Sequence, residues 1–149
     1  MKNEYKNILV PVDYSSITKE LALKAAEIAI RNNGRIDLLN VINTNFSFTF
    51  GAMDGNQITY TVNDHLKTLK KLASSIKQET GFTNIHIHVR FGNPKNVIAF
   101  DFPKEYHNDL IMIGNKSKKR TPTLLGSVAS FVNLYAPCDV MTVKPKTKE

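Results

Sequence analysis

Residues 110–135 read LIMIGNKSKKRTPTLLGSVASFVNLY and combine an apolar segment, a glycine, a cationic loop and the start of a helix. The apolar residues 110–113 predict a buried strand that ends at Gly114. The missing Cβ of that glycine lets a ligand or the following loop approach the backbone. Gly126 and Ser127 then open an amphipathic helix, which we expect to begin near Val128. The stretch therefore predicts a strand, loop and helix unit of the α/β type.

This arrangement is typical of an anion-binding site. The first backbone N–H groups of a helix have no acceptor within it, and the helix dipole is positive at that end. The loop before the helix adds four cations that favour a phosphate: Lys116, Lys118, Lys119 and Arg120. A plainer interpretation fits equally, in which Ser127 only caps its helix and the loop cations face solvent.

Strand and helix patterns alternate along the whole chain. Short apolar runs predict strands at 7–12, 36–42, 85–91, 110–113 and 139–143. Apolar residues at helical spacing predict helices around 22–30, 62–76, 94–103 and 128–135, and Pro103 should end or kink the third of them early. This order predicts one α/β domain over 1–149, an open five-stranded parallel sheet with helices on both faces.

Ligands of such sheets bind beyond the carboxyl ends of the strands, where the strand order reverses. Asp13 follows the first strand and Gly114 follows the fourth. If these strands are neighbours, one crevice contains both Asp13 and the predicted anion site. Asp13 is then either a group that orients a ligand or supports magnesium, or a structural residue at a strand end. Asp109 precedes its strand, so we expect it at the opposite end of the sheet in a structural role.

The composition limits the class of protein. At 149 residues and 42% hydrophobic, the chain has the size of one domain with a single core. No apolar run approaches the roughly 20 residues that span a bilayer, and no signal-peptide core follows Met1, so we expect a soluble, cytoplasmic protein without a membrane partner. The net charge of +7 is dispersed, which argues against nucleic acid as the primary ligand. We expect the single cysteine, Cys138, to be a packed core thiol.

Four histidines and one long connection remain. His86 and His88 lie on one face of the third strand without a nearby carboxylate or cysteine. They are therefore interpreted as sheet-face residues rather than metal ligands. His65 and His107 are expected at the surface. The connection 43–60 is long for its class and is interpreted as a lid over the crevice or a subunit contact, because it carries three apolar rings: Phe46, Phe48 and Phe50.

Six segments, taken in their order and spacing, resemble the universal stress protein family over nearly the whole chain. They are 8–13 with Ser15, 40–41, 92–94, 109–114, 125–128 and 136–140. The resemblance implies a Rossmann-like, adenine nucleotide α-hydrolase-like fold. It also implies a stress-related regulatory protein and a homodimer formed by antiparallel pairing of the edge strand Asp139–Val143.

Members of the ATP-binding type carry a glycine, two residues, a second glycine, nine residues, then glycine followed by Ser or Thr. Gly114 matches the first position and Gly126-Ser127 the last. Ser117 replaces the second glycine, and eight residues instead of nine separate it from Gly126. A serine disfavours positive φ, and the shorter loop reduces the reach over a γ-phosphate. Lys116 and its neighbours supply charge in place of backbone donors.

The resemblance implies roles for individual residues. Asp13 and Val41 would line the adenine and ribose end, the ribose would approach Gly114, and Ser127 with the N–H of Val128 would hold phosphate. The complete nucleotide-binding set implied in this way is Pro11, Val12, Asp13, Val41, Gly114, Lys116, Ser117, Gly126, Ser127 and Val128.

Three functions are weighed on these grounds. The first is a dimeric regulator that holds ATP or another adenine nucleotide, with Mg²⁺ accompanying the nucleotide, and changes its contacts with a protein partner. No general base or nucleophile is placed for fast chemistry, so no catalytic residue is assigned and at most slow ATP hydrolysis is expected. The second is a family member that binds no nucleotide and acts as an interaction dimer. The third, an enzyme of the same superfold, rests on fold analogy alone.

Overall fold

The computed structural model describes residues 4–44, 55–115 and 126–145. Its strands are β1 Asn7–Pro11, β2 Arg35–Asn43, β3 Ile85–Gly92, β4 Leu110–Gly114 and β5 Asp139–Val143. They form one sheet in the order β3-β2-β1-β4-β5, and every neighbouring pair is parallel. The predicted five-stranded parallel sheet is confirmed. The strand order reverses between β1 and β4, which are neighbours as the crevice argument requires.

The helices of the described residues lie between the strands as predicted. They are α1 Thr18–Asn32, α2 Gly55–Thr80, a composite α3 and α4 Ser127–Tyr135. The composite α3 consists of an α-helical turn at Pro94–Asn96, a π-helical turn at Val97–Asp101 and a second α-helical part at Phe102–Tyr106. The central part of the predicted lid or interface connection 43–60, with Phe46, Phe48 and Phe50, lies outside the described residues, as do residues 116–125. The last part of that connection was assigned wrongly, because α2 already begins at Gly55.

Of the two outcomes predicted for Pro103, an end or a kink of the helix, the first is wrong, because α3 does not end there. The helix passes the proline and continues to Tyr106, where His107 closes it in a left-handed conformation. The helix accommodates the proline with a wider turn before it, in which Phe102 N–H donates to the carbonyl of Val97, five residues back. A proline ring presses on the carbonyl four residues earlier and lacks an N–H, so widening the helix there relieves the conflict without breaking it.

Both faces of the sheet are buried, so the strands read as continuous apolar runs. Ile8, Val10 and Met112 point toward α1 and α2, whereas Leu9 and Ile111 point toward α3 and α4. Four fully buried small residues on α1 bring that helix close to the sheet: Ala22, Ala25, Ala26 and Ala29. Half-buried Cys138 packs against the apolar cluster between the sheet and helices α3 and α4. Burial raises the pKa of its thiol, in keeping with a packed rather than a reactive group.

Asp109 has the structural role predicted for it at the amino end of the sheet. Its carboxylate accepts hydrogen bonds from the backbone N–H groups of Lys6, at 2.9 Å, and Asn7, at 3.1 Å. These bonds join the start of β1 to the residue that precedes β4. They lie at the sheet edge opposite to the predicted crevice, so Asp109 is excluded from that site.

A second aspartate, Asp37 of β2, is 1% exposed and lies on the sheet face covered by α3. His88 Nε2 lies 3.0 Å from its Oδ1, while Arg35 Nη2 and Asn108 Nδ2 donate to its Oδ2 at 2.9 and 3.0 Å. Burial raises the pKa of Asp37, but hydrogen bonds from His88, Asn108 and Arg35 outweigh it and lower the pKa overall. The expectation that His88 has no nearby carboxylate is therefore wrong.

His86, in contrast, is a sheet-face residue as expected, with Nε2 lying 3.2 Å from Asn84 Oδ1. In the ranges that the structure describes, no cluster of three or more His, Cys, Asp or Glu is placed to hold a metal ion.

Candidate functional site

A cavity of about 700 Å³ lies beyond the carboxyl ends of β1, β2 and β4. It occupies the point of strand-order reversal, where parallel α/β sheets bind their ligands. Eight of the ten predicted site residues line it: Pro11, Val12, Asp13, Val41, Gly114, Gly126, Ser127 and Val128. Lys116 and Ser117 lie outside the described residues. The chain thus brings residues more than 100 positions apart into one cavity.

One end of the cavity is the amino terminus of α4. Gly126 is the residue before the helix, in an extended conformation with φ −60° and ψ 161°, and as a glycine it supplies no side-chain cap. The helix begins at Ser127, one residue earlier than predicted, so the interpretation of Ser127 as the N-cap is wrong. Ser130 N–H donates to Gly126 O at 2.9 Å. The N–H groups of residues 127–129 precede that bond and have no acceptor within the helix.

The two glycines of the site have different physical roles. A Cβ placed on Gly126 would meet no atom of the described residues within 4 Å. A Cβ on Gly114 would lie 2.9 Å from Ile17 Cγ2, at the residue that precedes α1. Gly114 is therefore needed for the close packing of α1 on the end of β4. The close approach at Gly114 is made by the side chain of Ile17, whereas the sequence predicted a ligand or the following loop there, and the approach of a ligand stays a prediction.

Asp13 stabilises the turn that follows β1. Its Oδ1 accepts hydrogen bonds from Ser15 N–H, at 2.9 Å, and from Thr18 Oγ1, at 3.3 Å. This pattern ties the turn to the first residue of α1, as aspartate side chains commonly do in turns. The structural interpretation of Asp13 is therefore observed. A role in orienting a ligand stays a prediction, and the exposed carboxylate lies on the cavity wall.

Asn40 fixes the floor of the cavity between β1 and β2. Its Nδ2 donates to the carbonyl of Val12 at 2.8 Å, and Val12 N–H donates to Leu39 O at 2.7 Å. Asn40 Oδ1 is buried and has no hydrogen-bond partner among the residues that the structure describes. The available signal was an amide side chain between two apolar residues, Leu39 and Val41, because burying an amide in a sheet requires a specific partner.

Tyr14 and His65 are among the lining residues that the site prediction missed. The Tyr14 hydroxyl lies 3.2 Å from His65 Nδ1, and the two rings stack with centroids 5.8 Å apart. Burial raises the pKa of Tyr14, and the nearby charge of Asp64 adds to the effect. The expectation that His65 is only a surface residue is wrong. Its spacing was the missed signal, because His65 lies three residues after Val62 and four before Leu69, on the packed face of α2.

A doubly wound parallel sheet with a cavity at its point of reversal defines a class, the Rossmann-like α/β proteins with the adenine nucleotide α-hydrolase-like fold. Within that class, the model of the universal stress protein family matches residues 4–144, and the chain belongs to this family. The predicted family and fold are both confirmed.

Individual relatives agree with this assignment. A universal stress protein of Staphylococcus haemolyticus is 30% identical over 141 residues, which are 94% of this chain and 85% of the relative. The solved structure of the universal stress protein from Archaeoglobus fulgidus in complex with dAMP is 26% identical, with a TM-score of 0.65 over 93% of this chain and 98% of that one. UspA from Lactobacillus plantarum is 25% identical, with a TM-score of 0.65 over 95% and 99% of the two chains.

No helix that the structure describes combines the length and the apolar character needed to cross a membrane.

Proposed function

We propose that this universal stress protein is a regulator that binds an adenine nucleotide, ATP or AMP, in the cavity beyond β1 and β4. The observation that carries the proposal is the meeting of the amino terminus of α4 with an apolar and aromatic lining in one cavity of about 700 Å³. That volume lies within the range of small-molecule sites, about 300 to 1,000 Å³. The complex of the Archaeoglobus fulgidus relative with dAMP supports the choice of an adenine nucleotide.

The cavity suits an amphipathic ligand with its phosphate at α4. There, the N–H groups of Ser127 and Val128 and the helix dipole favour an anion. Gly126 adds no side chain of its own to this approach, and a Cβ there would meet no described atom within 4 Å. The base and ribose then extend toward Asp13 and Val41, which also line the cavity. For ATP, Mg²⁺ accompanies the phosphates, and Lys116 and Ser117 belong to the proposed phosphate loop.

A homodimer through β5 is the second part of the proposal. In the described chain, β5 is an edge strand that pairs with β4 on one side. Natural proteins usually cover or pair such an edge. Apolar side chains near it are exposed, with Met141 at 37%, Tyr135 at 56% and Leu134 at 75% of their surface. Antiparallel pairing of two β5 strands would cover the edge and place these side chains at the contact.

A Met141→Lys substitution should therefore shift the protein from dimer to monomer. Two added lysines would face each other across the paired edges, and like charges directly opposite are destabilising. Size exclusion with light scattering measures the mass of the particle. Tyr60→Lys, at a 74% exposed position of α2, is the matched control and should remain dimeric. A monomeric parent protein, or a dimeric Met141→Lys variant, would contradict the β5 interface.

A second candidate function is an interaction dimer that binds no nucleotide. One observation favours it: Ser117 stands where ATP-binding members carry a glycine, and the loop that follows is one residue shorter. Fewer backbone N–H groups can then wrap a phosphate.

The direct test of the two functions has two steps. The purified protein is denatured, and the supernatant is analysed for nucleotide. The refolded or ligand-free protein is then titrated with Mg-ATP and AMP by calorimetry. The proposal expects a recovered adenine nucleotide, or saturable binding heat from at least one of the two ligands. An empty protein that gives no heat with either would overturn nucleotide binding and leave the interaction dimer.

A further inference from the structure

The side of the cavity next to α2, which covers the sheet face opposite to α4, carries an aromatic pair, Tyr14 and His65, which we call the aromatic wall. Its two members come from different elements, because Tyr14 follows β1 and His65 lies on α2. The ring planes are inclined by 25°, and the hydroxyl to imidazole contact of 3.2 Å fixes their relative orientation. Tyr14 keeps 42% of its surface exposed, so the side chain retains surface that a ligand can contact.

The backbone at Tyr14 is held in an unfavourable conformation that keeps the ring in this place. Its φ is 61°, in the left-handed region that non-glycine residues seldom adopt. Residues in such conformations persist only where the surrounding structure enforces them, and they cluster at functional sites. Here Asp13 Oδ1 accepts from Ser15 N–H and closes the turn around Tyr14. The turn therefore directs an aromatic ring toward α2 at the cost of local strain.

On the basis of the proposed function, we propose that the aromatic wall recognises the planar base of the ligand. A flat ring stacks favourably on tyrosine and histidine, whereas a sugar phosphate alone offers no such surface. The phosphate has its own site at α4, so two sides of the cavity recognise different parts of one molecule. Because every base has a π-face, the wall selects for the presence of a base and leaves the choice between purines to other contacts.

The test compares AMP with ribose 5-phosphate, which carries the same phosphate and sugar but no base. His65→Leu and Tyr14→Gly should each weaken AMP binding by about tenfold, the usual order of one lost stacking contact. Both variants should leave the affinity for ribose 5-phosphate unchanged within about twofold, since α4 is intact. Tyr14→Phe, which keeps the ring, should lose less AMP affinity than Tyr14→Gly.

Two controls separate recognition from folding. Glycine accepts a left-handed backbone, so Tyr14→Gly should not lower the melting temperature even though it weakens AMP binding. His107→Gly is the matched variant, because His107 is exposed and left-handed, with φ 55°, at the end of α3. It should resemble Tyr14→Gly in thermal stability and the parent protein in AMP binding.

Proton NMR of the histidine rings gives an independent readout. The chain has four histidines, and the signal that disappears in His65→Leu is the signal of His65. AMP should shift this signal through the ring current of its base, and ribose 5-phosphate should leave it in place.

The outcomes distinguish the two proposals. If the parent protein binds AMP but both variants keep its preference for AMP over ribose 5-phosphate, the aromatic wall is wrong and nucleotide binding stands. If the parent protein binds neither AMP nor ATP, both proposals are overturned.

Discussion

A Gly126→Val variant should fold normally and lose nucleotide binding. Gly126 lines the cavity directly before α4, and a Cβ there would meet no atom of the described residues within 4 Å. Its φ of −60° and ψ of 161° are open to any residue, so valine introduces no backbone strain. The valine methyl groups would occupy the space through which a phosphate reaches the N–H groups of Ser127 and Val128. The substitution therefore acts on the ligand and leaves the core unchanged.

The expected loss is large because the contacts removed are charge-assisted. Each hydrogen bond from a backbone N–H to a phosphate oxygen contributes about 1.5 to 3 kcal/mol. Losing two of them lowers the affinity by at least about a hundredfold. The stability cost is small by comparison, about 1 kcal/mol, because valine is a poorer residue than glycine at a helix N-cap. Calorimetric titration with AMP and Mg-ATP, together with a thermal melt, separates these two effects.

Gly55→Val is the matched control for Gly126→Val. Gly55 is the first residue of α2, and a Cβ there also meets no described atom within 4 Å. It does not line the cavity. This control should keep the affinity of the parent protein, and Gly126→Ala should show a weaker loss than Gly126→Val. Unchanged affinity in a folded Gly126→Val variant would remove α4 from the proposed phosphate site.

The general architecture could be predicted because local patterns determine it. Parallel strands buried on both faces must be apolar throughout, and residues 8–10 and 110–113 meet that requirement. Right-handed crossovers then restrict the possible topologies. The cavity could be placed for the same reason, since Asp13 and Gly114 follow strands whose ends must meet if β1 and β4 are neighbours.

Features that depend on long-range partners could not be predicted in this way. His88 and Asp37 are 51 positions apart, and neither residue carries a local signal of the other. The left-handed Tyr14 results from the turn closed by Asp13, in a segment where sequence patterns alone do not specify φ. The packing role of Gly114 depends on Ile17, which a strand pattern does not place. Sequence periodicity assigns the buried faces and the ends of strands and helices. The contacts between side chains distant in sequence follow only from the assembled fold.

Substituting Asp37 should have the largest effect on stability. Asp37→Asn keeps the shape of the side chain but removes the charge that Arg35 and His88 contact. Breaking a buried ion pair by removing one partner costs about 3 to 5 kcal/mol, because the other charge stays buried without compensation. Arg35 remains partly exposed, with 28% of its side chain accessible, and also donates to the carbonyl of Tyr106 at 3.1 Å. We therefore expect a loss near the lower limit, about 3 kcal/mol.

Chemical denaturation monitored by circular dichroism measures this loss. Asp101→Asn, at an exposed position of α3, is the matched control and should change the stability by less than about 0.5 kcal/mol. The AMP affinity of folded Asp37→Asn should equal that of the parent protein, because Asp37 does not line the cavity. A stability equal to that of the parent protein would show that the network contributes nothing net to folding.

The same carboxylate should make the stability of the parent protein sensitive to acid. The pKa of Asp37 is lowered from its ordinary value of 3.8 in the folded state, so the unfolded state takes up the proton first as the pH falls. The contribution of Asp37 is then fully present well above pH 3.8 and decreases as the pH falls through that value toward the folded pKa. Asp37→Asn cannot titrate at this position. The stability difference between the parent protein and Asp37→Asn should therefore narrow between pH 5 and pH 3, as measured by denaturation at each pH, and a constant difference would contradict the lowered pKa.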